Sequence, residues 1–396
     1  MSEFDAIRPY NDDEVRPVLN RLINDKEFLD LLIRLRTPSA LRSLCPIVSP
    51  LFRSVAKSKI AKQTAHVKNV GDLQKMMRGY LRRVVRDTVS ELTISGLEKL
   101  DKNKAYLFIS NHRDIAMDSA FVNLTLFDND FSTLRVAIGD NLLTKPFASD
   151  LMRVNKAFIV NRSATAPREK LKAAKLLSKY IHQSVVHENE NVWIAQREGR
   201  AKDGFDKTNA AIISMIGLSR SKQQAFADYI RDANIIPVSI SYEYDPCDED
   251  KAQELSAKED GGEYIKDQHE DILSIAKGIS GQKGNVHLCF GDVLVDEFEN
   301  AEQVTTKLDY DIVRNYQLHP SNCIAYEKLK GRSPNITLVN DVPFLDHDWI
   351  KERKAFDERL ESIPEHLRST WLASYANPVR AKLDVLQEPD LSQVDA

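Results

Sequence analysis

The sequence predicts an α/β fold in which a mostly parallel central sheet is covered by helices, with a helical basic N-terminal region and C-terminal helices. Short apolar runs that end in turn residues alternate with helical patterns after position 88, which is typical of parallel strands joined by helices. The composition, 42% hydrophobic and 29% charged over 396 residues, is that of a globular protein with a substantial core. Thirteen Lys and Arg residues but one acidic residue lie between positions 31 and 86. We therefore expect a helical basic region over 1–87, an α/β domain over 88–300 and a C-terminal helical extension over 301–396.

The N-terminal region is predicted to be helical. Apolar residues recur at helical spacing across 13–36, and 76–85 continues as a basic helix. Between them, 44–52 is apolar, rich in proline and flanked by cations, which suits an element at a membrane surface. The alternative is a helical cap that packs on the domain and keeps its basic face in water. The excess of positive charge indicates an anionic partner: membrane lipid, nucleic acid or an acidic carrier protein.

The α/β domain is predicted from buried strands and amphipathic helices in alternation. Strands are expected at 92–95, 105–110, 134–139, 157–161, 191–196, 234–241 and 285–290. Helices are expected after position 118 and at 167–187, 210–218, 223–231 and 267–277. The polar segment 245–263 is expected to be an exposed excursion, and two C-terminal helices are expected at 349–362 and 364–375.

The four cysteines and the N-terminus bear on the compartment. The cysteines lie far apart and form no CxxC pair, which argues against a zinc site and against a secreted disulfide framework. The N-terminus has no apolar core of a signal peptide, and no stretch approaches the ~20 apolar residues that span a bilayer. These features predict a protein that is cytoplasmic or attached to a membrane from the cytoplasmic side, and with the basic region we expect peripheral attachment to the inner face.

One stretch, 105–118, carries the chemistry. A buried strand, 106–109, ends at a turn signal and leaves His112 at its carboxyl end, and Asp118 opens the helix that follows. A carboxylate that fixes the tautomer and orientation of an imidazole makes that imidazole a base for a hydroxyl group. Asp114 is the alternative partner, and we favour Asp118. On its own, the stretch also fits a helix N-terminus with acidic first-turn residues and a surface histidine.

The motif Asn-His-Arg at 111–113, followed by Asp118, resembles block one of the glycerophosphate acyltransferase family. In that family four residues separate the His from the Asp, whereas five separate them here. One extra residue on a helix turns a side chain by roughly 100°. Either the loop absorbs the insertion and Asp118 still reaches His112, or Asp114 takes its role.

Two further motifs are similar to the binding motifs of this family. The run KAFIVNR at 156–162 is similar to block two, whose terminal Arg helps to hold the phosphate of the acceptor, and this implies that role for Arg162. The run 192–204 is similar to block three, a Glu-Gly-x-Arg loop, although the residue between Gly and Arg is missing. There Glu198 is expected to bind a glycerol hydroxyl or to hold Arg162. In the same loop the resemblance implies Gly199, Arg200 and Lys202 as further binding residues, and Arg197 offers another cation.

The order of the motifs carries the resemblance. The run IIPVSI at 235–240 is similar to block four, and the four blocks follow the order of the family over 92–295. A Tyr-Glu pair at 242–243 and a Gly…Phe-Gly strand at 284–291 are similar to the glycerol-3-phosphate branch. The chain is thereby identified as a member of the family, which implies a glycerophosphate acyltransferase-like fold for the sheet domain.

The resemblance implies an acyltransferase of phospholipid synthesis. A fatty acyl group would move from acyl-CoA or acyl carrier protein to a hydroxyl of glycerol 3-phosphate or 1-acylglycerol 3-phosphate. His112, oriented by Asp118, would take the hydroxyl proton, and Arg113 or the block-one backbone would stabilise the oxyanion. The residues expected to bind the acceptor phosphate are Arg162, Arg200 and Lys202. No metal or redox cofactor is expected, because a thioester is already activated, and an anionic membrane surface is the expected further partner.

Other classes of function compete with this one. A non-catalytic lipid-binding or scaffold protein that retains the fold stays open because blocks one and three depart from the family pattern. Nucleic-acid binding has only positive charge in its favour and is not expected. A protein kinase is excluded, because the His-Arg-Asp at 112–114 lacks the upstream glycine-rich loop, the following Asn and the Asp-Phe-Gly motif. The sequence does not decide between the two acceptors.

Overall fold

The computed structural model describes residues 2–37, 45–259, 261, 264 and 270–387. Four helices come first: α1 Asp12–Asn24, α2 Lys26–Arg36, α3 Cys45–Thr64 and α4 Val70–Thr88. The apolar stripe of α1 is buried against α6, Pro146–Val154, in a small core of its own. Asp25 and Asn69 cap α2 and α4 by accepting backbone N–H groups, which is why these helices begin where they do. The helices predicted across 13–36 and 76–85 are confirmed.

Seven strands form one central sheet. They are β1 Glu91–Ser95, β2 Leu107–Ser110, β3 Arg135–Gly139, β4 Ala157–Val160, β5 Val192–Ala195, β6 Ile235–Tyr242 and β7 Asn285–Phe290. The spatial order is β1-β7-β6-β2-β5-β3-β4, and β6, β2, β5, β3 and β4 are parallel to one another. Within this sheet, β1 pairs parallel with β7, and β7 pairs antiparallel with β6. The predicted mostly parallel sheet is confirmed.

Helices cover both faces of the sheet. Besides α6 they are α5 Met117–Asp128, α7 Pro167–His182, α8 Ala210–Ile216, α9 Phe226–Asp232, α10 Asp248–Glu259 and α11 Glu270–Ser280. Leu107 and Ile109 of β2 face a core that includes α7 and α8, whereas Phe108 faces a core that includes α5. Strands buried on both faces read as continuous apolar runs, which is why the sequence revealed them. The carboxyl ends of the parallel strands lie at one edge of the sheet.

The prediction that 245–263 is an exposed excursion is wrong for the described part of this segment. Residues 248–259 form α10, which packs on the domain with Lys251, Ala252 and Glu254 buried. Charged side chains hide this helix in the sequence, because their partners come from distant parts of the chain: Asp248 pairs with Arg359. Positions 260, 262 and 263 lie outside the described residues, as do 265–269, where the predicted helix 267–277 would begin.

Four helices follow the sheet: α12 Ala301–Asn315, α13 Pro320–Lys330, α14 Ile350–Ser362 and α15 Arg368–Gln387. The two predicted C-terminal helices correspond to α14 and α15, and α12 and α13 were not predicted. Their shared core centres on Phe356 and Trp371. Gly204 has φ +83°, and a side chain there would lie 2.1 Å from the Ser374 carbonyl of α15, so only glycine allows this contact.

The boundaries predicted at 87 and 300 stay predictions. Among the described residues, no helix combines the length and the apolar character that a membrane crossing requires.

Candidate active site

The candidate site lies at the edge where the parallel strands end. His112 follows β2, Glu198 follows β5 and Arg162 follows β4. Neighbouring strands lie ~4.8 Å apart, so these three loops come together on one side of the sheet. Ligand sites of open parallel sheets form at this edge.

His112 and Asp118 form a hydrogen-bonded pair. Nδ1 of His112 lies 2.8 Å from Oδ2 of Asp118, and because an ionised carboxylate only accepts, Nδ1 carries the hydrogen. Nε2 then has a free lone pair, and it makes no hydrogen bond with any described residue. The Asp118 side chain is fully buried, whereas His112 keeps 13% of its side chain exposed. The arrangement is that of an oriented base facing solvent.

Asp114 has a different place. Its Oδ1 accepts the backbone N–H groups of Ala116 and Met117 at 2.9 and 2.8 Å, so it caps the first turn of α5. Burial, together with the nearby carboxylate of Asp118, raises the pKa of Asp114. Of the two carboxylates proposed from the sequence, Asp118 is the one that contacts His112.

The backbone carbonyl groups of the block-one loop accept hydrogen bonds from other parts of the chain, which hold the loop in place. The His112 carbonyl accepts the N–H of Ala201 at 2.7 Å, which ties the loop to block three. The Arg113 carbonyl accepts Nζ of Lys251 on α10 at 2.6 Å. Lys251 also pairs with Asp245. Burial raises the pKa of Asp245, but Lys251, the backbone N–H of Cys247 and Arg200 together outweigh that effect, and the pKa lies below its ordinary value. Sequence reasoning missed Lys251, because it lies in the segment expected to be exposed.

Arg113 points into the protein and not toward solvent. Its guanidinium donates to Asp206 Oδ2 at 2.5 Å and to the Gly204 carbonyl at 3.2 Å, and it lies over the ring of Tyr316. The side chain is buried. Burial lowers the pKa of Arg113, but the charge and hydrogen bond of Asp206, together with Tyr316 and Asp245, outweigh that effect, so the net change is a rise. Arg113 thus joins block one to the loop after β5.

Arg162 and Glu198 form an exposed ion pair at the other side of the site. Nη1 of Arg162 lies 3.1 Å from Oε1 of Glu198, with 36% and 69% of the side chains exposed. The backbone N–H groups of Arg162 and Ser163 donate to Asp140, which follows β3. The sequence leaves open whether Glu198 holds Arg162 or a hydroxyl, and in this structure it holds Arg162.

Arg200 and Lys202 turn away from Arg162 and toward the covering helices. Arg200 is buried, donates weakly to Ser274 of α11 at 3.4 Å, and leaves Nη1 without a partner among the described residues. Lys202 pairs with Glu254 of α10. Gly199 has φ +72°, and a side chain there would meet no described atom within 4 Å, so the loop is open at this point. The predicted roles of these residues as phosphate ligands stay predictions.

Two aromatic residues were also missed as parts of the site. The Trp193 ring lies edge-on to His112, with ring centroids 6.0 Å apart, and its Nε1 donates to Ser110 Oγ. Tyr242, the last residue of β6, donates its hydroxyl to Asp118 Oδ1 at 2.7 Å. Both lie inside motifs that the sequence singled out, but only the packing shows their contacts. In the described part of the chain, no group of three acidic, His or Cys side chains is placed to hold a metal ion.

A family model matches the region that carries this site. Residues 91–241 match the family model described as Acyltransferase. The chain is also similar to the crystal structure of the 1-acyl-sn-glycerophosphate (LPA) acyltransferase PlsC from Thermotoga maritima. The identity is 13%, the match covers 82% of this chain and 96% of that chain, and the TM-score is 0.32. No curated protein matches the sequence.

Proposed function

We propose that this chain, whose residues 91–241 match the acyltransferase family model, transfers a fatty acyl group from a thioester to a hydroxyl of a glycerol phosphate acceptor. The donor is acyl-CoA or acyl carrier protein, and the acceptor is glycerol 3-phosphate or 1-acylglycerol 3-phosphate. The observation that best supports the proposal is the hydrogen bond of Asp118 to Nδ1 of His112, which leaves Nε2 facing solvent. An imidazole held in this way is matched to a hydroxyl substrate.

The proposed reaction is a direct transfer. Nε2 of His112 takes the proton of the acceptor hydroxyl while its oxygen attacks the thioester carbonyl, and a tetrahedral oxyanion forms. When the C–S bond breaks, the thiolate leaves and the imidazolium returns the proton to it. Asp118 stabilises the positive charge on the imidazole, because its carboxylate is fully buried beside it. No acyl-enzyme is needed.

The oxyanion needs hydrogen-bond donors, and block one has few to offer. Asp118 occupies the N–H groups of residues 113 and 114, Asp114 occupies those of 116 and 117, and the Arg113 guanidinium is buried. The backbone N–H groups of residues 197–200 make no hydrogen bond with described residues. They adjoin Ala201, which bonds His112, and we assign the oxyanion to them.

Arg162 is the proposed anchor for the acceptor phosphate. It is exposed, lies at the same sheet edge as His112, and its planar guanidinium fits two phosphate oxygens. Its present partner is the exposed Glu198, and an exposed pair is weak enough for a phosphate to replace the carboxylate.

Thiol release from palmitoyl-CoA, with glycerol 3-phosphate and lysophosphatidic acid as separate acceptors, tests the proposal. We expect acceptor-dependent release by the wild-type protein and its loss in His112→Ala and Asp118→Asn. His366→Ala, a change of an exposed histidine, is the matched control and should keep full activity. If neither acceptor supports release, acyl carrier protein is tested as donor. Failure with that donor too would overturn the proposal in favour of a lipid-binding or scaffold protein.

The N-terminal helices are the proposed membrane contact. On α3, Phe52 and Val55 are exposed by 53% and 63%. Lys59 and Lys62 follow at helical spacing on the same face, and they are exposed without a partner among the described residues. Apolar side chains beside cations suit the surface of an anionic bilayer, at ~1 kcal/mol per well-placed cation. Of the predicted element 44–52, position 44 and the side chains of 45–51 lie outside the described residues.

Flotation with vesicles tests the membrane contact. The protein is mixed with vesicles of phosphatidylglycerol and phosphatidylcholine, and with vesicles of phosphatidylcholine alone, without any carrier protein. We expect flotation only with the anionic vesicles and its reduction in Val55→Ser. Absence of flotation with anionic vesicles would remove the lipid contact and leave an acidic carrier protein as the partner of the basic region.

A further inference from the structure

We propose that Tyr242 is a positioning residue of the His112–Asp118 pair, an inference that rests on the proposed function. Tyr242 ends β6, is buried, and donates its hydroxyl to Oδ1 of Asp118 at 2.7 Å. A Tyr–Asp–His chain of hydrogen bonds therefore runs from the core to the exposed Nε2. The hydroxyl of Tyr242 bonds Asp118 and not His112, so it acts on the imidazole through Asp118.

The two oxygens of Asp118 have separate partners. Oδ2 accepts Nδ1 of His112 and the backbone N–H groups of Arg113 and Asp114, at 2.7 to 3.0 Å. Oδ1 accepts only the hydroxyl of Tyr242 among the described residues. The carboxylate is fully buried, so without Tyr242 one of its oxygens would lose its partner in the interior. Tyr242 thus fixes the plane of the carboxylate that orients the imidazole.

The ring of Tyr242 is itself held in place. It packs against Phe121, which follows Asp118 by three residues on α5, with ring centroids 5.8 Å apart. Burial and the nearby carboxylate of Asp118 raise the pKa of Tyr242 well above its ordinary value. The hydroxyl therefore remains a donor throughout the physiological pH range.

A second effect of the hydroxyl is electrostatic. The hydrogen bond disperses part of the negative charge of Asp118, and its loss would strengthen the pull of the carboxylate on a protonated imidazole. The acid limb of the pH profile should then move to higher pH. Other charged or titratable groups lie around the His112–Asp118 pair, and a Tyr242→Phe substitution leaves all of them in place. They are Arg113, Asp114, Arg200, Asp206, Asp245, Lys283 and Tyr316.

The test compares Tyr242→Phe with Tyr244→Phe. Tyr244 lies two residues further along, is partly buried beneath Arg359, and makes no hydrogen bond through its hydroxyl with described residues. We expect Tyr242→Phe to lower kcat about tenfold, the equivalent of one lost hydrogen bond, with the acceptor KM within about twofold. In the pH profile of kcat/KM for Tyr242→Phe, the acid limb should move up by about half a pH unit. Tyr244→Phe should have the kcat, KM and pH profile of the wild type.

A second readout does not depend on activity. The ring C–H resonance of His112, assigned with His112→Gln, is titrated by NMR in the wild type and in Tyr242→Phe. An upward shift of the titration midpoint in the variant supports the proposal, and superimposable titrations and pH profiles overturn it. If the wild type lacks acyl transfer, the proposed function has failed, whereas the NMR comparison still tests the Tyr–Asp–His chain.

Discussion

Arg162 at the end of β4 lies 3.1 Å from the carboxylate of Glu198 in the loop after β5. Both side chains are exposed, and exposed ion pairs contribute only about 0–1 kcal/mol to stability. The ion pair therefore holds the guanidinium of Arg162 at the sheet edge, but it is weak enough for a ligand to replace the carboxylate of Glu198. A phosphate, with more charge and more acceptor oxygens than a carboxylate, would compete for the same donors.

Removing the charge of Glu198 should improve acceptor binding. In Glu198→Gln the guanidinium of Arg162 no longer has to leave a carboxylate, so we expect the acceptor KM to fall about two- to fivefold at unchanged kcat. Arg162→Ala should raise that KM about tenfold or more, as the loss of a charged hydrogen bond predicts. Steady-state kinetics with varied acceptor measure both changes.

The control for this pair is Arg332→Ala, an exposed arginine of the C-terminal region without a partner among described residues, which should leave KM unchanged. A rise of KM in Glu198→Gln would contradict the prediction. It would indicate that Glu198 contacts a hydroxyl of the acceptor, the other role that the sequence suggests.

The sheet could be predicted because its strands are buried on both faces. All eight residues of β6 are buried, and a largely apolar run of this kind can be recognised from the sequence alone. The helix α10 could not be predicted, because its buried positions include Lys251 and Glu254. Burial of such side chains depends on partners outside the helix: Asp245, which precedes it, and Lys202, which lies in the loop after β5.

Those residues of the site that lie in the sequence motifs could be predicted. The family resemblance is confirmed by the match over residues 91–241. The sequence placed two carboxylates near His112, and spacing alone did not separate them. The structure does so, since Asp118 contacts Nδ1 and Asp114 caps α5. The direction of Arg113 depends on Asp206, and no local pattern reveals that contact.

Arg113 and Asp206 should matter for stability. Removing one partner of a buried ion pair leaves an uncompensated charge, so we expect Arg113→Met to lower the free energy of unfolding by about 3–5 kcal/mol. Urea denaturation measures this loss, and Arg168→Met, a change of an exposed arginine, should stay within about 0.5 kcal/mol of the wild type. The double variant with Asp206→Leu should lose less than the sum of the two single variants.

An Arg113→Met protein that unfolds like the wild type but has a lowered kcat would contradict this expectation. It would return Arg113 to the contact with the substrate oxyanion that the family resemblance implied.

His287 should make the protein sensitive to acid. It is buried between Thr93 and Ser95, which bond its two ring nitrogens, and burial lowers the pKa of His287 from 6.5 to about 4. Between these values the unfolded chain binds a proton that the folded chain does not, so stability falls as the pH falls through this window. We expect His287 to account for about 2 kcal/mol of lost stability between pH 7 and pH 4.5.

Urea denaturation at the two pH values measures this loss in the wild type and in His287→Gln, whose amide can still bond both hydroxyls. The variant should lose less stability on acidification, whereas His366→Gln, which changes an exposed histidine, should behave like the wild type. Equal losses in all three proteins would show that His287 does not carry the acid sensitivity.

Gly278 of α11 should be required for the geometry of block one. A side chain on Gly278 would lie 2.1 Å from Oδ2 of Asp114, and Asp114 cannot withdraw without releasing the N–H groups that it caps on α5. We therefore expect Gly278→Ala to lower the free energy of unfolding by about 1–3 kcal/mol, the usual cost of overpacking, and to reduce kcat.

Gly79→Ala is the matched control, because Gly79 also lies within a helix and a side chain there meets no atom within 4 Å. That control should gain up to about 1 kcal/mol through helix propensity. Urea denaturation and the thiol-release assay measure both variants, and a Gly278→Ala protein that gains stability like Gly79→Ala would show that α11 does not constrain the loop of His112.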